Sequence, residues 1–117
     1  MAALILNAAY ASVVEDEGML FVGFAEGEAE DEGYALFRQP IEGGPVWFEV
    51  NDESFGVEDA IGTVQALPEG IEITLRPGMA SRFGWASAVT ILIDPDAEGR
   101  DAAYEALDLM LGADLAQ

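Results

Sequence analysis

The chain reads as an α+β domain: an antiparallel β-meander of five to seven strands packed by one C-terminal α-helix, in two layers. Three observations lead there. A length of 117 residues suits a single domain with one core, spanning 1–117. Short apolar, β-branched runs alternate with breaks rich in Gly, Pro and acids, as strands joined by turns do. Only the C-terminal segment, after Asp94-Pro95, changes to a helical spacing of apolar residues.

The elements follow in order. Leu4 to Val14 is apolar and reads as the first strand. No positively charged segment precedes it, and Asn7 interrupts the apolar stretch before Ala9-Tyr10-Ala11, so a strand is expected rather than a signal peptide. Glu15-Asp16-Glu17-Gly18 is an acidic turn, and Met19 to Ala25 resumes with apolar side chains on both faces. That pattern fits a strand covered on both sides or one whose second face meets a partner. Gly27 to Gly33 is the most acidic loop, expected to be solvated and mobile, and Tyr34 to Arg38 is a short strand ended by Pro40 and Gly43-Gly44-Pro45.

Val46 to Asn51 alternates: Val46, Phe48 and Val50 point one way, and Trp47, Glu49 and Asn51 the other. Asn51 to Ser54 breaks that strand. Ile61 to Leu67 and Ile71 to Leu75 form a hairpin about the turn Leu67-Pro68-Glu69-Gly70. Met79 to Trp85 is a loop of bulky content, and Ala88 to Ile93 is the last strand. The helix is expected to start at Asp94 as N-cap with Pro95 in the first helical position, and to stop at Gly112. Ala103, Tyr104, Leu107, Met110 and Leu111 make its apolar face; Asp101, Glu105 and Asp108 make its acidic one.

Charge narrows the chemistry. Twenty-three acids face only Arg38, Arg76, Arg82 and Arg100, a net charge of −19, while 51% of residues are hydrophobic and mean hydropathy is +0.22. A chain so acidic but poor in apolar residues would stay disordered; this one has the surface to fold with its carboxylates outside. Such a shell repels phosphates and attracts cations. Nucleic acid and anionic membranes are therefore excluded as partners, since four scattered arginines make no basic patch. No run reaches the length needed to span a bilayer. With no cysteine, histidine or lysine there is no disulfide, thiol nucleophile, Schiff base or imidazole general base, and a reducing cytoplasm suits the composition. No cofactor is expected, and no enzyme activity.

Three groups remain. Asp94, Asp96, Glu98 and Glu105 have the spacing of a calcium loop, D-x-D-x-E-G-x5-E, but Pro95, Asp101 and the strand before them favour a plain acidic helix start. The acids Glu49, Asp52, Glu53, Glu58 and Asp59 can pair for acid–base work, or simply form a solvated face. Trp47, Phe83 and Trp85, the last two beside Arg82, have the composition of an interface hot spot, or else cover the sheet beneath the helix.

Two segments carry a family resemblance. Tyr34-Ala35-Leu36-Phe37-Arg38-Gln39 is similar to a Y-x-L-x-Q-R strand, with Arg38 and Gln39 in swapped order. Val46 to Glu53 (VWFEVNDE) is similar to a Y-x-E-V-N-D-Q pattern, with Glu53 in place of glutamine. With the hairpin of Ile61 to Leu75 and the closing strand and helix, the stretch from Gly33 onward resembles the immunity protein 10 family of bacterial polymorphic toxin systems. That resemblance implies a non-catalytic cytoplasmic antidote that binds a cognate toxin domain, expected to be basic. Trp47, Glu49, Asn51, Asp52, Glu53, Arg82, Phe83 and Trp85 are the partner-binding residues expected on this reading. Asn51 and Asp52 can equally serve the turn alone. The competing readings are a small acidic secretion chaperone, which would dimerise and use Met19 to Ala25 for a client; a calcium module; and a shell adapted to high salt.

Overall fold

The structure, a computed structural model, describes residues 2–27 and 32–112, with only the backbone of residues 2, 3 and 53. It is an α+β domain with the C-terminal helix expected, but its strands divide into two sheets. The elements are β1 (Ala2–Ala8), β2 (Tyr10–Asp16), β3 (Met19–Ala25), β4 (Tyr34–Pro40), β5 (Trp47–Val50), β6 (Asp52–Glu58), β7 (Ile61–Leu67), β8 (Gly70–Leu75), a 3-10 turn at Ala80–Phe83, β9 (Ala86–Ile93) and α1 (Arg100–Leu111). The acidic loop's Glu28 to Asp31 lies outside the described residues.

A five-stranded antiparallel meander runs β2-β3-β4-β5-β6, and a four-stranded sheet runs β1-β9-β8-β7. The first strand read from the sequence serves both. It breaks at Ala9, whose N–H donates to Ala25 O at 2.8 Å; Ala2 to Ala8 pairs in parallel with β9, and Tyr10 to Asp16 pairs antiparallel with β3. The hairpin at Pro68-Glu69 is β7–β8, as read.

The inner faces share one core. Val22, Phe24, Ala35, Phe37, Phe48 and Val50 enter it from the meander, and Leu6, Ile71, Ile73, Val89, Ile91 and Ile93 from the other sheet. An aromatic row crosses the meander's inner face: Phe24 edge-on to Phe37 at 6.1 Å, Phe37 tilted on Phe48 at 4.9 Å, and Phe48 on Phe83 at 5.5 Å. Such pairs contribute about 0.5–1.5 kcal/mol each beyond the burial of their area.

The helix packs against β2 and β3 and buries Ala103, Tyr104, Ala106, Leu107 and Met110, nearly the face expected. Its start is corrected. Asp94 closes a local turn, its Oδ1 accepting from Asp96 N–H at 2.8 Å, and α1 begins at Arg100 after Gly99, which has φ +79° and no side-chain cap. The cause is tertiary: Ala11 N–H donates to Glu98 O at 2.8 Å, and a Cβ on Gly99 would overlap the Ala11 carbonyl. Docking on β2 therefore sets where the helix starts. Gly112 ends α1 in the left-handed conformation, as read. Among the described residues no helix is long and apolar enough to cross a membrane.

Candidate functional site

Because Phe48 and Val50 turn into the core, Trp47 and Glu49 lie on the meander's outer face, as the alternation predicted. Apart from Glu49 and Gly56, the described residues of that face are exposed or half-buried rather than buried. Register arranges it in rows. One row crosses all five strands as Val14, Phe21, Arg38, Trp47 and Glu58; the next runs Ser12, Gly23, Leu36, Glu49 and Gly56. A third row places Asp16, Met19 and Pro40 side by side. The face is thus apolar along β3, with Val14 beside it on β2, and has a cation and an indole at its centre.

The centre is held by specific contacts. Glu49, only 8% exposed, accepts from Trp47 Nε1 at 2.8 Å and from the Tyr34 hydroxyl. Both carboxylate oxygens are thereby used, which is what a buried charge requires. Trp47 lies against Gly56, where a Cβ would collide with the indole. From the neighbouring strand the Arg38 guanidinium sits 4.8 Å from the centroid of the indole, a cation–π contact. Arg38 and Tyr34 are residues that sequence reasoning left out of the site. The available signal was parity: both lie on the same face of their strand as Leu36, opposite Ala35 and Phe37.

Acids surround one end of this face. The β2–β3 turn brings Asp16 and Glu17, the segment after β4 brings Glu42, and the end of β6 brings Glu58 and Asp59. All leave the sheet at the edge where Met19, Pro40 and Trp47 lie. Asp59 pairs with Arg76 at 3.3 Å.

The remaining expected residues divide. Asn51 is at the opposite end of the meander in the left-handed conformation, φ +66°. Its Oδ1 accepts from Tyr34 N–H at 3.0 Å, and its own N–H donates to Tyr34 O at 2.9 Å. Asp52 accepts from Ser54 N–H at 2.9 Å; that backbone bond first, and the Ser54 hydroxyl second, hold its carboxyl below the usual range. The N-D pair thus builds the β5–β6 corner. Glu53 contributes backbone to β6, and its side chain lies outside the described residues.

Phe83 is a correction. The 3-10 turn rotates its ring inward onto Phe48, and at 1% exposure it belongs to the core rather than to any contact surface. Arg82 is exposed. Trp85 is 74% exposed at φ +68°, a conformation that costs a bulky residue about 1–2 kcal/mol. No contact described joins this loop to Trp47.

The calcium spacing is not assembled: Asp94, Asp96, Glu98 and Glu105 are all exposed. Among the described residues no three acidic side chains are gathered closely enough to hold a metal. No family model, curated protein or solved structure matches the chain.

Proposed function

We propose that the protein is a non-catalytic binding protein of the immunity type, which holds a basic toxin domain against the outer face of its five-stranded sheet. The observation that carries this reading is the uncovered, acid-edged face centred on Trp47, whose indole is oriented by Glu49 and Tyr34 before any partner arrives. An oriented aromatic anchor spares the ordering entropy that a mobile one would lose on binding. A body of net charge −19 draws a cationic domain towards it and speeds the encounter. The resemblance of Tyr34 to Gln39 and of Val46 to Glu53 to an immunity family points the same way, and those two segments supply β4 and β5 of this face.

The experiment is co-purification with the toxin domain encoded beside this chain. A complex is expected whose affinity falls at least tenfold when Asp16→Asn and Glu58→Gln are combined, and again with Trp47→Ala. Absence of a complex, or a complex indifferent to these changes, sinks the reading. The half-buried Met19 and Phe21 on the same face would also serve a chaperone's client; a stable dimer in light scattering would favour that function instead.

A further inference from the structure

Arg38 is out of place by the logic of its surroundings. The described ion pairs join Arg76 to Asp59 at 3.3 Å and Arg100 to Asp101 at 3.0 Å. Arg38 is half-buried at the centre of the candidate face, yet among the described residues it makes no ion pair. Two acids are close by register. Glu58 shares its row, one strand beyond Trp47, and Glu49 lies one row along on β5. Glu49 is committed to Tyr34 and Trp47, and Glu58 stands exposed at the edge. The guanidinium is instead held over the Trp47 ring.

The space in front of it has a definite character. A depression of about 340 Å³ is lined by Arg38, Trp47 and Glu58 with Phe21, Pro40 and Pro45 among its walls. Apolar walls lower the local dielectric and strengthen a charge-assisted bond to the guanidinium. A single cation beside apolar walls, with Glu58 at the exposed rim, suits a carboxylate carried next to an apolar side chain, as at the C-terminal residue of a peptide. A small free anion is disfavoured, because the field of net charge −19 opposes its approach. A carboxylate borne on a cationic chain escapes that penalty, since its positive neighbours meet Asp16, Glu17 and Glu58.

We propose that Arg38 is a specificity residue, which receives a carboxylate of the basic partner while the adjoining apolar side chain fills the depression. This rests on the reading of the outer face as the docking surface. In a surface otherwise made for cations, one half-buried central cation would select, among basic domains, those with an acid at the matching place.

The test uses the full chain and two synthetic peptides, N-acetylated Lys-Lys-Gly-Phe with a free carboxyl terminus and the same peptide amidated. Binding is followed at low salt through the Trp47 indole N–H resonance, assigned with Trp85→Phe. The free acid is expected to bind about tenfold more tightly than the amide, the worth of one charge-assisted contact. Arg38→Gln should abolish that preference and leave the amide bound as well as before or better, because the variant face is more negative. That opposite movement separates a lost contact from a lost fold. Arg38→Lys, which keeps charge without the planar fork, should retain part of the preference.

Equal affinity of acid and amide for the unaltered protein, or a preference that survives Arg38→Gln, overturns the proposal. Either result leaves the acidic docking face standing. If neither peptide binds, both the role of Arg38 and the docking face beneath it are overturned.

Discussion

Tyr104 shows how a single side chain sets a response to pH. It is 3% exposed. Burial raises its pKa above the ordinary value of 10.0, and the charge of Arg100, whose guanidinium lies 4.3 Å from the ring centroid, opposes that rise only in part. In the unfolded chain the phenol ionises near pH ~10, whereas in the folded chain it stays neutral to higher pH. The stability tied to this group is therefore complete below that range and is lost as pH rises through it. Urea denaturation from pH 8 to 11 should show a shallower alkaline decline for Tyr104→Phe than for the unaltered protein; parallel declines would mean that another group is responsible. Asp52 has the opposite sign: its lowered pKa makes a contribution present at neutral pH and lost on acidification. At this scale the sequence marked Trp47 and Glu49 correctly as outward-facing. It offered Phe83 either as a partner contact or as cover for the sheet and did not choose, because nothing in a loop's composition says which way a 3-10 turn will rotate a ring.

Between elements, one junction of the two sheets is closed by a glutamate. β1 is an edge strand of the four-stranded sheet, and edge strands leave backbone groups without ladder partners. Glu26, just past β3 of the other sheet, spans the gap. Its Oε2 accepts from Asn7 N–H at 3.0 Å and its Oε1 from Gly33 N–H at 3.1 Å. One carboxylate thus ties the two sheets together. Glu26→Ala should cost about 2 kcal/mol, the scale of hydrogen bonds to a charged acceptor, and Glu26→Gln should cost less because it keeps one acceptor. Chemical denaturation with an unchanged m-value would measure this. A loss below 0.5 kcal/mol for Glu26→Ala, the usual range of a surface change, would show that the sheets hold without it.

The strands themselves were legible where apolar residues alternate or run together, as in β3, β5, β8 and β9. β6 was not, because Asp52, Glu53 and Gly56 have low strand propensity and it pairs only by lying at an edge beside β5. The division of the first strand at Ala9 was also hidden: Ala8-Ala9-Tyr10 contains no turn residue, and the bend arises because the two halves pair with different sheets.

For the molecule as a whole, charge and size are commensurate. The protein measures 30 Å along each principal axis, and the screening length is ~30 Å at 0.01 M salt and ~8 Å at 0.15 M. At low ionic strength every carboxylate therefore feels the others, and a net charge of −19 opposes the compact state. The melting temperature should rise as sodium chloride increases from about 0.01 to 0.2 M and then level off. A continued rise into molar salt would instead identify the shell as an adaptation to brine and weaken the case for a partner.

Composition and periodicity were enough for the α+β class, the terminal helix face, the hairpin at Pro68 and the inward and outward sides of β5, because each depends on neighbours two to four residues apart. Pairing the first strand with the last, dividing the strands between two sheets, moving the helix start to Arg100 and gathering Tyr34, Arg38, Trp47 and Glu49 on one surface all needed the folded chain. Those contacts join segments far apart in sequence, and no local pattern records which strand will lie beside which.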